Sequence, residues 1–401
     1  MYLGVSVFQS LEQYEIKESG DLLNEKGQLQ VKGWSRQPLL TYNPKGLSKF
    51  RRAYRLKEWN YYSVGTDRFY FAVAAIDLGY VTNYQTFFID FTNDGKALMD
   101  EITASSLTKG LGLPKDSCHV GSHISYNSKN FSIHFDVGDC PDSSNNSSSS
   151  NLSDSQNNKN TLIHSIKITS NKMKLQADIK FNLSPNRESV CLATPIGKSN
   201  FYYNRKTNLI PVTGSLIIDG KEWLGPYQLQ DAFGIMDWGR GIWDYNSFWL
   251  WGTCWGRTRD GRPIGLNLGE GFGDLSTHTE NAINLDGVIH KLGHIEFHYN
   301  KEDLKQPWKF VCKHGRFGES PLEFTPLKIK YERNNFGLVM SSFHQIIGRI
   351  KGEVLLDSGE RVEIDIFGRR RTTNIIFGDL NVFGGGSSGF GCDGCGCSGG
   401  F

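Results

Sequence analysis

Four runs of one stretch decide how this chain is read: F-G-I-M-D-W-G-R-G (Phe233–Gly241), W-D-Y-N-S-F-W-L-W-G-T-C-W-G (Trp243–Gly256), P-I-G-L-N-L-G-E-G-F-G-D (Pro263–Asp274) and T-H-T-E-N (Thr277–Asn281). Five of the nine tryptophans fall here (Trp238, Trp243, Trp249, Trp251 and Trp255), interleaved with glycine. An indole is buried well only where its ring finds apolar contact and its N–H a partner, so this density indicates a specified core or a lined cavity.

The stretch also contains Asp260–Gly261, a pair suited to a tight hairpin turn. A two-residue turn there places Trp255 opposite Leu266, Thr253 opposite Leu268, Trp251 opposite Glu270 and Trp249 opposite Phe272. Side chains alternate across a strand, so these share one face, a tryptophan wall holding one carboxylate. The other face would carry Gly252, Gly256, Gly265 and Gly269 with Cys254 and Asn267. Glycine inside a strand marks the close approach of another backbone or a ligand. Packed core on both faces is the alternative, since packing explains most clustered aromatics. Asp237, Arg240, Glu270, Glu280 and Asn281 are many polar groups for such a core, because unpaired buried charge is expensive.

Outward from this hairpin the pattern is alternation. Leu162, Ile166 and Ile168, a turn near Asn171, then Leu175, Ala177, Ile179 and Phe181 read as a second hairpin. Further strands are expected at 69–76, 84–91, 130–136, 209–218, 289–298, 308–313, 324–331, 344–356 and 361–366. Many short strands with regular turns mean an all-β barrel or sandwich, and their number implies two barrels. The expected division is a first barrel over 1–205, a second over 206–382 that carries D-W-G-R-G, and a Gly/Ser/Cys-rich tail over 383–401. Residues 141–160 are almost wholly Ser, Asn, Asp and Gln, a composition that favours disorder.

Composition narrows the function. The net charge of +2 gives no overall field that argues for nucleic acid or an anionic membrane. No apolar run has the length of a spanning helix, so no transmembrane segment is expected. Scattered single cysteines and the lack of a signal-peptide pattern point to a cytoplasmic protein. The segment carrying His290, His294, Glu296 and His298 would put four N/O groups on one strand face, yet Ile295, Phe297 and Tyr299 alternate with them. These groups read as the solvated side of a half-buried strand, and no metal is expected. Cys392–Cys397 offers three thiols, one short of a structural zinc site. G-E-G-F-G-D misplaces its third glycine for a dinucleotide loop, and Walker and nucleophile-elbow motifs are lacking, so no cofactor is expected.

G-W-S-R-x-P (Gly33–Pro38), K-E-W-N-Y-Y (Lys57–Tyr62), D-W-G-R-G, G-L-N-L-G and T-E-N together resemble the domain-of-unknown-function family numbered 2804, over roughly residues 25 to 370. R-R-R-T-T-N (Arg369–Asn374) departs from that family's Glu-and-Trp ending. The family is distantly similar to proteins built of two lipocalin-like barrels, among them carotenoid hydratases and tocopherol cyclases. The resemblance implies two lipocalin-like antiparallel barrels packed together and an apolar, often isoprenoid or fatty, ligand. It hands over no reaction, because fold does not fix function.

Three functional expectations follow. In the first, the protein binds or transfers a hydrophobic small molecule or lipid. Trp238, Trp243, Trp249, Trp251 and Trp255 then form the wall of a cavity in the second barrel, while Arg240, Asn267, Asn281 and Asp237 orient a polar head. In the second, a buried carboxylic acid at Asp237, Glu270 or Glu280 protonates an alkene or epoxide, as a hydratase, cyclase or isomerase would. The third is a purely structural pair of barrels, in which Asp237 and Arg240 form an internal ion pair.

Overall fold

The computed structural model describes residues 13–93, 96–105, 110–140, 161–225, 232–244, 247–313, 315–335, 339–365 and 374–384. The Asn/Ser-rich insert and the tail cysteines lie outside the described residues. An N-terminal arm carries β1 (Gly20–Asp21), β2 (Gly33–Ser35) and β3 (Leu40–Thr41), followed by one α-helix, α1 (Lys49–Tyr54). Ser48 starts that helix by accepting a hydrogen bond from the Arg51 amide.

The first large sheet holds β4 (Leu56–Gly65), β5 (Phe69–Asp77), β6 (Val81–Asp90), β7 (Lys96–Ser105), β8 (His123–Asn127), β9 (Phe131–Asp139), β10 (Leu162–Ser170), β11 (Leu175–Leu183), β12 (Val190–Ile196), β13 (Asn200–Ile218), β14 (Lys221–Leu224) and β15 (Phe233–Ile242). Its main path runs β7-β6-β5-β4-β15-β13-β11-β10-β9-β8. The sheet curls until its ends meet. Tyr84 on β6 donates to the Ser125 carbonyl on β8 at 3.3 Å, and Ser170 on β10 donates to Asp100 on β7 at 2.6 Å. Phe69, Phe71, Phe131, Ile133, Ile166, Ile179 and Phe181 fill the interior. The β10–β11 hairpin has the expected alternation, with Ile166 opposite Ile179 and Ile168 opposite Ala177, all buried.

The second sheet holds β16 (Leu250–Arg257), β17 (Pro263–Glu270), β18 (Ala282–Leu285), β19 (Val288–Lys291), β20 (Ile295–His298), β21 (Trp308–Cys312), β22 (Leu322–Asn335), β23 (Val339–Leu355), β24 (Arg361–Asp365) and β25 (Asn374–Gly384). Its path is β19-β18-β17-β16-β25-β23-β22-β21-β20, and the Phe297 amide on β20 closes it by donating to Glu270 on β17 at 2.9 Å. Leu250, Cys254, Leu266, Ile283, Phe310 and Phe324 fill this second core. The chain is thus all-β, two antiparallel barrels packed together. Among the described residues no helix is long and apolar enough to cross a membrane.

The division falls elsewhere than residue 205. That position lies inside β13, and β13 and β15 both pair within the first sheet. D-W-G-R-G therefore belongs to the first barrel, and the crossing to the second lies between Ile242 and Leu250. The long β13 bends at a register shift between Thr207 and Ile210, where Leu209 takes a φ of +59°. There Asn208 reaches across, donating to Thr253 at 2.9 Å and to the Leu266 carbonyl at 2.7 Å.

Candidate active site

The central hairpin turns differently from the expected two-residue loop. The Thr258 amide donates to the Arg262 carbonyl, closing three loop residues, with Gly261 at a φ of +93°. The register slips by one, so Trp255 faces Gly265, Thr253 faces Asn267, Trp251 faces Gly269 and Leu250 faces Glu270. Such a slip sends every side chain to the other face. Leu250, Cys254, Leu266 and Leu268 thereby enter the second core. Trp251 and Trp255 point out of it, toward the first barrel.

Trp251 and Trp255 consequently line the seam between the barrels rather than a chamber inside the second. Trp255 stacks on Tyr70 of β5 at 5.3 Å, and Trp251 meets Tyr61 of β4 edge-on at 6.3 Å. Gly65 makes the first contact possible, because a Cβ there would collide with the Trp255 ring. Leu209, Phe233, Ile235 and Ile347 complete this apolar contact.

Into this seam β15 projects Asp237, flanked across the sheet by Lys206 of β13 and Tyr61 of β4. Lys206 Nζ lies 3.7 Å from Asp237 Oδ2 and 3.1 Å from Oε2 of Glu280, which comes from the second barrel. The same ammonium sits 4.3 Å from the centre of the Trp251 ring. Asn204 donates to Glu280 at 2.8 Å, and Asn267 holds that residue's carbonyl at 2.8 Å while accepting from Trp251 Nε1 at 2.8 Å. Two carboxylates thus share one lysine. The Asp237 side chain is nine-tenths buried, and among the described residues its Oδ1 has no hydrogen-bond partner. Burial pushes the Asp237 carboxyl above its ordinary range; Lys206 pulls it back and Glu280 adds to the rise. Half-buried Trp59 and Tyr61 lie beside it, and half-buried Trp251 stands over the Lys206 ammonium. Gly239 leaves room for Trp59, since a Cβ would strike that indole. Beyond them Trp59, Tyr202, Trp243, Trp249 and Phe272 form one ring cluster, with neighbouring centroids 4.8 to 6.3 Å apart.

The other expected site residues separate. Arg240 points to the opposite face of β15 and pairs with Glu58 at 3.6 Å, not with Asp237. Its guanidinium also donates to the carbonyls of Trp59, Gly239 and Pro114 and to Asn60. That set makes it a structural brace. Trp238 packs in a core with Tyr42 and Tyr203. Glu270 lies on the face away from Trp251 and is committed to the closing contact of the second barrel. Asn281 bridges the Gly269 amide at 2.6 Å and the Gly293 carbonyl at 3.0 Å, a tie within the second barrel. His290 bonds Asp357 while His298 bonds Glu296, on two separate strands.

Lys206, Asn204, Trp59, Tyr61 and Tyr70 were missed by the sequence reading. The signal was present in Y-Y-N-R-K (Tyr202–Lys206), whose alternate residues Tyr202, Asn204 and Lys206 share the seam face. A strand expected only from residue 209 leaves this stripe out.

A second polar spot lies inside the first barrel. His164 is buried, its Nδ1 bonded to Tyr62 Oη at 2.7 Å, and its Nε2 has no partner among the described residues. Burial, then Arg205, pulls this imidazole down to about 3, so it is neutral. It borders a cavity of about 10 Å³, with room for about one water.

A family model described as a domain of unknown function, DUF2804, matches residues 13–370. No curated protein matches the sequence. Among solved structures, kievitone hydratase from Nectria haematococca aligns at 11% identity and a TM-score of 0.41, covering 84% of this chain and 92% of that one. CghA aligns at 10% identity and a TM-score of 0.38, covering 83% and 90%.

Proposed function

We propose that this chain, which belongs to the DUF2804 family, binds a hydrophobic small molecule in the seam between its barrels and protonates it with Asp237. One observation carries the reading: a nine-tenths buried carboxyl, raised in pKa by burial and with one oxygen lacking a hydrogen-bond partner among the described residues, sits beside Trp59 and Tyr61, with Trp251 over the neighbouring Lys206. A carboxyl whose proton is held more tightly because it is buried in an apolar place is suited to act as a general acid. The proton adds to an alkene or opens an epoxide, and the carbon left positive lies against the negative faces of the rings. Water or an internal nucleophile then attacks that carbon, or a neighbouring C–H gives up its proton; in each case Asp237 takes a proton back. Hydration, cyclisation or isomerisation of an isoprenoid-like compound fits this sequence of events.

Lys206, 3.7 Å from Asp237, favours a second reading. An ionised Asp237 beside an ammonium would orient the polar head of a bound lipid without turnover. Mass spectrometry of an organic extract of the purified chain gives the ligand, and incubation of that ligand with the wild type and Asp237→Asn separates the readings. Acid catalysis predicts product from the wild type only, with ligand retained by both. Retained ligand and no product from either protein leaves binding or transfer, and extraction of no specific compound removes both.

A further inference from the structure

Six Lys and Arg residues stand between Lys45 and Lys57 with no Asp or Glu among them, in a chain of net charge +2. The overall balance hides this local field. The same segment forms α1, where Phe50 is 66% and Tyr54 42% exposed, with their rings 5.2 Å apart. A single exposed ring needs no explanation. Here two rings one helical turn apart stand among exposed Lys45, Lys49 and Arg52. Lys198 is also exposed, next to Ser199, whose carbonyl accepts from Arg51 at 2.8 Å. Asp244, 3.7 Å from Arg55, offsets one charge. Lys57 is buried and pulled down to about 8 by burial, then by Arg55, so the surface field comes from the other cations.

The patch adjoins the ring cluster of the seam. Arg55 donates to the Trp243 carbonyl at 3.0 Å, and Trp243 packs on Trp59 and Phe272. We propose that α1 docks the protein on an anionic lipid bilayer, with Phe50 and Tyr54 in the headgroup layer and the surrounding cations on lipid phosphates and carboxylates. Polybasic segments are drawn to anionic leaflets, and aromatic side chains sit well at the interface. An acidic protein could use the cations, but it leaves unexplained why the exposed rings lie beside an apolar seam. Docking would let a membrane-dissolved substrate enter the seam without crossing water. That purpose rests on the proposed function; the docking itself does not.

The test is flotation of the full chain with phosphatidylcholine vesicles, alone or containing about one-third phosphatidylserine. Binding is expected with the anionic vesicles only, weakening as salt rises. The exposed double variants Phe50→Ser/Tyr54→Ser and Lys49→Glu/Arg52→Glu should each lose at least tenfold in binding while keeping the wild-type circular dichroism. Asp237→Asn should bind as the wild type does. Wild-type affinity in both double variants, equal binding to neutral vesicles, or failure to float with anionic vesicles would overturn the docking site. Retention on an acidic polypeptide that vesicles cannot displace would overturn it too. If flotation fails while Asp237→Asn still loses turnover of dispersed substrate, docking falls and the seam chemistry stands.

Discussion

Lys206 of the first barrel and Glu280 of the second meet at 3.1 Å across the seam, and Asp237 lies 3.7 Å from the same ammonium. One cation therefore serves two buried carboxyls, and the carboxyl farther from it has an oxygen without a hydrogen-bond partner among the described residues. Removing the ammonium and removing a carboxylate shift the charge of the set in opposite directions.

Replacing Asp237 by Asn should stabilise the chain at neutral pH. A carboxyl whose pKa is raised by folding holds its proton more tightly in the native state. The native state therefore loses stability as pH rises from the ordinary value of 3.8 through the raised one. Each unit of rise corresponds to about 1.4 kcal/mol. Thermal melts of the wild type and Asp237→Asn should coincide below pH 4 and separate toward pH 7, with the variant higher. A gap of the opposite sign would show that Lys206 fully offsets the burial.

Lys206→Met has the reverse consequence. It leaves Glu280 and Asp237 facing one another without their cation. Breaking a buried pair from one side costs about 3–5 kcal/mol. Urea unfolding at pH 7 should show that loss, and acid should recover part of it as Asp237, whose pKa burial raises, takes up its proton. An unchanged midpoint would mean that the set is hydrated in solution.

His164 supplies a separate acid sensitivity. Its pKa falls from 6.5 to about 3 on folding, so its contribution is intact above pH 6.5 and is lost as pH falls toward 3. Over that window the wild type should lose about 1.4 kcal/mol per pH unit from this group alone. His164→Leu should flatten the acid limb, whatever its effect at neutral pH. Identical limbs would place a proton on the native imidazole.

Gly65→Ala probes the seam by volume. The new methyl group would meet the Trp255 ring, so Trp255 or β4 must move. Overpacking of this kind costs about 1–3 kcal/mol. The loss should be relieved in Gly65→Ala/Trp255→Phe, measured as a double-mutant cycle by urea unfolding. Additive losses would show that the two positions do not touch.

The fold was legible where one residue type alternated over enough length. The β10–β11 hairpin was set by Ile166, Ile168, Ala177, Ile179 and Phe181, because period-two burial leaves only one register. The Trp-rich hairpin was legible as a hairpin but not in register. Asp260–Gly261 has two-residue turn chemistry, yet Thr258 closes the turn one position earlier, and nothing local distinguishes the two. That slip misplaced Glu270 and the tryptophan wall together. Asp237 was picked out for its apolar surroundings, a property of its own strand. Lys206 and Tyr61 escaped because their meeting with Asp237 depends on which strands flank β15, and strand order is not written in local periodicity. Glu280 was recognised as a carboxyl, but its partner in the other barrel is a tertiary fact.

The bend of β13 at Asn208 and Leu209 has an evolutionary corollary. One continuous strand walls the first barrel, delivers Lys206 to Glu280 and fastens Asn208 to Thr253. The halves cannot be shuffled like beads on a string. A first half grafted to an unrelated partner would carry a buried ammonium and a protruding amide with nothing to receive them. Descent should therefore keep the pair together, and diversity should accumulate in the surface loops.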